Sequence, residues 1–214
     1  MEQQGEVIDT NIHEFHYEDM TVNEAQQLET LQAEPPQATE AEDATLQIIN
    51  SKFTSRLFVA YINNIFGLTI PEPKTDVVFT VGSLIISRDA DDGDNGVGPM
   101  PYTVEYYGRE TENPHVFRLL PNIFNRCSSL SLHDITKPAT LDAALEMINT
   151  DVLENLIVSQ RKVIFDWMVE NFQRFTRLKY LTVQYLHGLD DETYSLLFTK
   201  IHEHPTIQEV VFRS

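Results

Sequence analysis

Leu178-Lys-Tyr-Leu-Thr-Val183 is the clearest copy of a pattern, Leu-x-x-Leu-x-Leu, that four segments of the chain share. The other three, matched loosely, are Cys127-Ser-Ser-Leu-Ser-Leu132, Leu153-Glu-Asn-Leu-Ile-Val158 and Ile207-Gln-Glu-Val-Val-Phe212. Counted from their first residues, successive copies lie 26, 25 and 29 residues apart, with one stretch of helical period in each interval. A fixed period of this size is typical of stacked strand–helix repeats. The pattern therefore predicts a repeat array over residues 127–214.

A helix is expected after each of the first three strands. The apolar spacing predicts these helices at Thr140–Ile148, Val163–Phe172 and Gly188–Ile201. Thr140 would cap the first helix, and Asp190 or Asp191 would cap the last, whose acidic first turn also matches the helix dipole. A single strand–helix unit cannot bury its own apolar face, so we expect the units to stack as parallel strands.

Alternation along the strands predicts which side chains face a partner. The core residues would be Leu130, Leu132, Leu156, Val158, Leu181 and Val183. The residues between them would form an exposed concave face of Ser129, Ser131, His133, Asn155, Ile157, Ser159, Tyr180, Thr182, Gln184, Glu209, Val211 and Arg213. All but Ser129, Glu209 and Val211 are candidate partner-binding residues. Tyr180 is the first candidate hot spot, since aromatic anchors carry much of the energy of interfaces. The alternative is a solvated sheet face.

Residues 46–126 are predicted to form an α+β region that precedes and caps the repeats. Apolar residues at near-helical spacing predict a helix over residues 46–66, which Gly67 would end in the left-handed conformation. The segments that follow are predicted as two antiparallel strands and a short helix: Val77–Ser87, with Gly82 as a bulge, Tyr102–Tyr107 and His115–Asn125.

Residues 1–45 are predicted to be a disordered acidic tail. Residues 1–51 contain twelve acidic residues and no Lys or Arg, so they account for most of the net charge of −18 and leave −6 for the other 163 residues. Such a composition cannot bury enough surface to offset its ordering entropy. Within it, Ile12–Met20 carries Phe15, Tyr17 and Met20 among acidic residues. This segment is either a linear motif that binds a partner's groove or a solvated tail.

Composition also excludes several classes of function. Strong acidity disfavours a nucleic acid as the main partner, because phosphate neutralisation needs clustered Lys and Arg. The single cysteine, Cys127, fits a reducing compartment, and we expect neither a signal peptide nor a membrane span. A cytoplasmic or nuclear protein is the expectation.

Neither an enzyme nor a metalloprotein is predicted, and no cofactor is expected. Asp89, Asp91, Asp92 and Asp94 lie beside glycines, but no register places Gly and Glu where a calcium-binding EF-hand loop needs them. We instead expect a surface hairpin loop, where Asp and Gly are common because they tolerate positive φ. Cys127 and His133 have no visible third group to orient them as a catalytic pair.

The last repeat carries a family resemblance. The residues that carry it are Leu178-x-x-Leu-x-Val, Gly188-Leu-Asp-Asp-Glu, Leu197, Pro205 and Ile207-x-x-Val-x-Phe. With these residues the repeat resembles the ribonuclease-inhibitor-like leucine-rich repeat, a type also found in F-box substrate receptors. More weakly, the body is similar to the F-box-associated domains of nematodes. The resemblance implies an adaptor or substrate receptor that works with a ubiquitin-ligase adaptor of the Skp type, although no segment matches the Leu-Pro-x-Glu-Leu core of an F-box.

The sequence therefore predicts an α/β protein in three parts: the tail at 1–45, the α+β region at 46–126 and a leucine-rich-repeat-like array at 127–214. The predicted function is non-enzymatic binding of a protein through the concave strand face. The alternative is a structural or assembly subunit, which would use the repeat edge after Phe212 and the acidic tail motif.

Overall fold

The computed structural model describes residues 13–15, 44–88, 101–108, 111–159, 161–185 and 190–213. Within these residues, eight strands form one sheet in which the strands follow chain order from edge to edge. The strands are β1 His13–Phe15, β2 Thr45–Thr54, β3 Val78–Arg88, β4 Tyr102–Tyr107, β5 Cys127–His133, β6 Asn155–Ser159, β7 Tyr180–Gln184 and β8 Glu209–Arg213. The helices are α1 Ser55–Phe66, α2 His115–Leu119, α3 Pro121–Phe124, α4 Pro138–Met147, α5 Lys162–Asn171 and α6 Asp191–Glu203.

The C-terminal half of the sheet is parallel throughout. Strands β4 to β8 pair in parallel, each with the next along the chain, and α4, α5 and α6 form the connections from β5 to β8. Antiparallel pairing occurs between β2 and β3 and between β3 and β4, while β1 pairs in parallel with β2. The predicted α/β class and the predicted parallel strands are confirmed.

The core of the parallel half consists of layers that run across the strands. Leu130, Leu156 and Leu181 are partners in register and are at most 1% exposed. Leu132, Val158 and Val183 form the next layer and have no exposed surface. The helices contribute apolar residues to the same core, among them the buried Leu141, Trp167 and Leu197. Period-two alternation thus placed the core side of these strands correctly.

The predicted N-terminal cap is present in α6 but not in α4. Asp190 caps α6, because its side chain accepts a hydrogen bond of 2.7 Å from the backbone N–H of Thr193. The predicted cap of α4 is wrong. That helix begins at Pro138, after Lys137, and Thr140 is a buried residue in its first turn. Proline is favoured at the first helical position because its missing N–H is not needed there.

The helix predicted over residues 46–66 is a strand followed by a helix. β2 runs to Thr54, whose Oγ1 accepts from the N–H of Leu57 at 3.3 Å and starts α1. Leu46 and Ile48 are both buried, so the side chains of β2 alternate from the start. Pairing with β3 along the whole strand overrides the helical spacing. Gly67 ends α1 with φ +60, as predicted.

A change of face occurs at one point in the β2–β3 pair. The core residues of β2 are Leu46 and Ile48 before Asn50, then Ser51 after it, and Asn50 has φ +45. β3 makes the same change at Gly82, although the register of the pair is maintained. Gly82 is needed because a Cβ atom there would collide with Thr111 Oγ1. The irregularity predicted at Gly82 is therefore a change of face without a shift in pairing.

The segment predicted as one helix at His115–Asn125 forms two short helices. Leu120, which precedes Pro121, separates them with φ −120 and ψ 44. A residue before proline is sterically excluded from the helical region, so the helix restarts at the proline.

The α+β region and the repeats share one sheet and one core. Pairing of β4 with β5 joins them, for example at Tyr106 and Leu132. Glu112 makes a second connection, because its buried carboxylate accepts hydrogen bonds of 2.8 Å from the N–H groups of Thr136 and Lys137. Of the predicted tail, the structure describes 13–15 and 44–45. Residues 13–15 pair with β2, which the prediction of disorder did not anticipate.

Candidate protein-binding face

The side of the sheet opposite the core, here called the outer strand face, carries residues in register across seven strands. Its middle row consists of Gln47, Ile85, Glu105, Ser131, Ile157, Thr182 and Val211. The sequence prediction included only the part from β5 to β8. It missed β2, β3 and β4, although the alternation in Tyr102–Tyr107 was visible, because nothing local shows that β4 pairs with β5.

The β7–β8 end of this face is open. The side chain of Tyr180 is 43% exposed, and its register partner on β8, Glu209, is also exposed, as is Arg213 opposite Gln184. Thr182, Gln184 and Val211 are half-buried between them. A large aromatic side chain is thus accessible on a regular strand, as the sequence predicted for Tyr180.

The β5–β6 end is closed, and the predicted exposure of three residues is wrong. Ser131, His133 and Ser159 are 3%, 7% and 0% exposed. The ring of His133 stacks on Tyr107 with centroids 4.3 Å apart, and its Nδ1 lies 2.6 Å from Ser159 Oγ. Ser131 lies between the longer side chains of its neighbours in register, which shield its short hydroxyl.

Asn155 and Ile157 lie between the open and closed ends. Both are half-buried, and Asn155 Nδ2 donates to Ser129 Oγ at 3.0 Å. Of the predicted binding residues, the structure therefore leaves accessible surface on Asn155, Ile157, Tyr180, Thr182, Gln184 and Arg213.

His133 and Ser159 have the spacing of a base and a nucleophile. Burial lowers the pKa of His133, which favours the neutral imidazole. Ser159 Oγ, however, belongs to a residue with no exposed surface, so a substrate cannot reach it. The Sγ–H of Cys127, also buried, donates to the carbonyl of Ser129 at 3.0 Å. These contacts hold neighbouring residues of the sheet together.

A small cavity of about 240 Å³ lies near the end of α1, lined by Phe66, Gly67, Leu68, Arg88 and Arg126. Both arginines donate to the hydroxyl of Tyr102, at 3.2 Å from Arg88 and 2.7 Å from Arg126. Arg88 also donates to the carbonyl of Phe66, a terminal carbonyl of α1. The two guanidinium groups therefore stabilise the packing of α1 against the sheet.

Other predicted features lie partly or wholly outside the residues that the structure describes. Of the tail motif, Phe15 belongs to β1, whereas Tyr17 and Met20 lie outside the described residues. The Asp89–Asp94 loop is outside them as well. Within the described ranges, no three His, Cys, Asp or Glu side chains are grouped so that they could hold a metal ion. Nor does any helix in those ranges combine the length and apolar character needed to cross a membrane.

A second surface lies at the β8 edge of the sheet and is here called the open edge. Phe212 is the register partner of Val183, yet it is 39% exposed, whereas Val183 and Val158 have no exposed surface. The ring of Phe198 on α6 lies 5.0 Å from that of Phe212 and stacks on Tyr194 at 5.8 Å. The sequence prediction placed an edge after Phe212 but missed these two α6 residues, whose helical spacing was available.

Comparison with known proteins gives no match to a family model, to a curated protein or to a solved structure. The functional interpretation therefore depends on the outer strand face and the open edge.

Proposed function

We propose that this chain is a non-catalytic protein-binding module, of the adaptor or substrate-receptor kind, which holds its partner at the β7–β8 end of the outer strand face. The observation that carries the proposal is the exposure of Tyr180, 43%, on a strand paired on both sides. Tyrosine combines a large apolar ring with a polar tip, and it is enriched at the centres of protein interfaces.

Rigidity favours binding at this position. The backbone N–H of Tyr180 donates to Glu154 O at 3.0 Å, and pairing with β6 and β8 fixes the strand. An anchor that is already ordered loses little conformational entropy on binding, so more of its contact energy appears as affinity. A partner could reach Tyr180 without displacing any described part of the sheet.

The groups around Tyr180 suit a protein partner. Asn155, the register partner of Tyr180 on β6, offers neutral donors and acceptors, as do Thr182 and, farther along β7, Gln184. This mixture resembles the polar rim that surrounds the centre of an interface. The net charge of −18 opposes binding to a phosphate backbone. We place the protein in the cytoplasm or nucleus, since a chain with a single cysteine has no internal disulfide to maintain.

Affinity capture from a native extract tests the proposal. Tyr180→Ala should weaken capture of the specific partner by about 10-fold or more, because truncation of a central aromatic anchor costs roughly 2 kcal/mol. Leu196→Ala is the matched control, since Leu196 is 45% exposed on α6 and its truncation also removes an exposed apolar group. Equal capture by both variants and the wild type would contradict the proposal.

The same extract tests the adaptor role. The apolar residues Phe58, Val59, Ile62 and Phe66 of α1 are buried in the protein's own core, so α1 has no free apolar face for an Skp-type adaptor. We assign that role to the tail motif with Phe15, Tyr17 and Met20. A variant that begins at Ala44 should lose the ubiquitin-ligase adaptor and retain the partner that depends on Tyr180. Loss of both partners would make the tail the main binding element.

Assembly through the open edge is a second candidate function. It is favoured by Phe212, which occupies a core layer of the sheet and is nevertheless 39% exposed. A structural subunit would bury this residue, together with Phe198 and Tyr194, against another chain.

A further inference from the structure

The backbone of β8 presents a defined set of hydrogen-bonding groups at the open edge. The N–H of Glu209 donates to Lys179 O at 3.1 Å, and the carbonyl of Arg213 accepts from the N–H of Tyr185 at 2.9 Å. Residues 209, 211 and 213 therefore direct their backbone groups towards β7. In a parallel pair the intervening residues point the other way, so Val210 and Phe212 direct theirs to the edge. In the part of the chain that the structure describes, no strand pairs with that edge.

A second β8 strand can satisfy these groups in antiparallel pairing about a two-fold axis. The axis can lie at Val210, at Val211 or at Phe212, because each of these positions brings outward-pointing residues opposite one another. Only the register centred on Val211 places Glu209 opposite Arg213 of the other strand, and symmetry makes that ion pair twice. The same register places Phe212 opposite Val210 on the core side. Opposite charges and apolar pairs directly across two strands are both stabilising.

We propose that the open edge binds a second copy of this chain, through antiparallel pairing of the two β8 strands centred on Val211. This inference depends on the second candidate function, assembly through the edge, and is independent of binding at Tyr180. The pairing joins two sheets into one and gives the same surface of each copy to the interface, as a two-fold dimer requires. On the outer strand face, two Glu209–Arg213 ion pairs flank the Val211 contact.

The core side of the same interface covers apolar surface that a lone chain leaves exposed. Phe212 and Phe198 are 39% and 45% exposed, with rings 5.0 Å apart. In the paired register, Phe212 of each copy packs against Val210 of the other, and the Phe198 residues of the two α6 helices lie on either side of the axis. The dimer thus extends each core layer across the interface and removes an unprotected edge strand.

Charge reversal tests the register with the full chain. Sedimentation velocity over roughly 1 to 200 µM should show a concentration-dependent dimer. Glu209→Arg and Arg213→Glu each place like charges opposite one another twice and should raise the dimer Kd by about 10-fold or more. The double variant Glu209→Arg/Arg213→Glu restores opposite charges with reversed polarity, and its dimer Kd should return to within about 3-fold of the wild type.

Two further variants separate the interface from the fold and from partner binding. Val211→Lys places two ammonium groups at the axis and should give a monomer whose circular dichroism and thermal midpoint match those of the wild type at a concentration where the wild type is also monomeric. Tyr180→Ala should leave the dimer Kd unchanged, because Tyr180 lies one strand away from the edge. A wild-type chain that is monomeric over the whole range, or a double variant as defective as either single one, would overturn the proposal. Neither result would alter capture that depends on Tyr180, so the two proposals fail separately.

Discussion

Removal of the buried Glu112 carboxylate should destabilise the protein more than removal of an exposed carboxylate does. The residue is 5% exposed, and its Oε2 accepts from the N–H and the hydroxyl of Thr136 at 2.8 Å each. Its Oε1 accepts from the N–H of Lys137, also at 2.8 Å, just before α4 begins. Hydrogen bonds to a charged group contribute about 1.5 to 3 kcal/mol each. Since Thr136 and Lys137 are themselves exposed, water replaces part of this, and Glu112→Ala should lower the free energy of unfolding by about 2 to 4 kcal/mol.

Urea unfolding followed by circular dichroism measures this change. Glu146→Ala is the matched control, because Glu146 pairs with Arg118 at 3.3 Å with both side chains more than half exposed. Such a surface pair contributes about 1 kcal/mol or less. Glu112→Gln keeps one carbonyl acceptor and should fall between the two variants. A loss for Glu112→Ala no greater than that of the control would refute the conclusion that this carboxylate fixes the connection between the region before the repeats and α4.

Three other predictions follow from the packing of single residues. Gly82→Ala should lower the free energy of unfolding by about 1 to 3 kcal/mol in thermal melts, because the new methyl collides with Thr111 Oγ1. Thr111→Ala should recover only part of the loss, since the backbone oxygens of Tyr107 and Gly108 also lie 3.2 Å from the new methyl. Thr140→Val should raise it by about 1 kcal/mol in urea unfolding, because the buried hydroxyl has no hydrogen-bond partner in the structure, whereas an N-cap role would give a loss. Burial lowers the pKa of His133 in the folded protein. As the pH falls below about 6.5, the unfolded chain therefore binds a proton at His133 before the folded chain does, and the free energy of unfolding should decline from pH 7.5 to pH 5.5. His133→Gln should show a smaller decline in the urea midpoint over that range, and an equal decline would contradict the assignment.

The repeat half was predictable because its signals are local. Alternating apolar residues identified β5 to β8, and the structure extends or trims each strand by at most a few residues. Asp190 was identified as a cap candidate from its position before a run of helical period, and it caps α6. The exposure of Tyr180 followed from the same alternation. In each case neighbours within one turn or one strand decide the outcome.

The failures share a different cause. The spacing of Leu46, Ile49 and Phe53 is compatible with a helix. The strand conformation of β2 is instead decided by its pairing with β3, whose residues lie 24 positions later at Thr54 (78 − 54) and 42 positions later at Thr45 (87 − 45). The burial of His133 depends on Tyr107 and Ser159, each 26 residues away. Such contacts depend on the register between strands, which local periodicity does not determine.

The buried Ser159 and the connection made by Glu112 were missed for the same reason. Neither residue stands in a recognisable motif, and each acquires its role from a partner brought close by the sheet. The outer strand face was predicted from β5 onward, and its continuation onto β2, β3 and β4 became visible only when β4 was seen to pair with β5.

Site-specific photocrosslinking tests the central claim, that a protein partner binds at Tyr180, most directly. A photoreactive phenylalanine would replace Tyr180 in the full chain, and in a second variant it would replace Leu196, which has similar exposure, 45% against 43%. Irradiation in native extract should give a specific crosslinked protein from position 180 and none of that species from position 196. The same crosslinked species from both positions, or none from position 180, would contradict binding at the outer strand face.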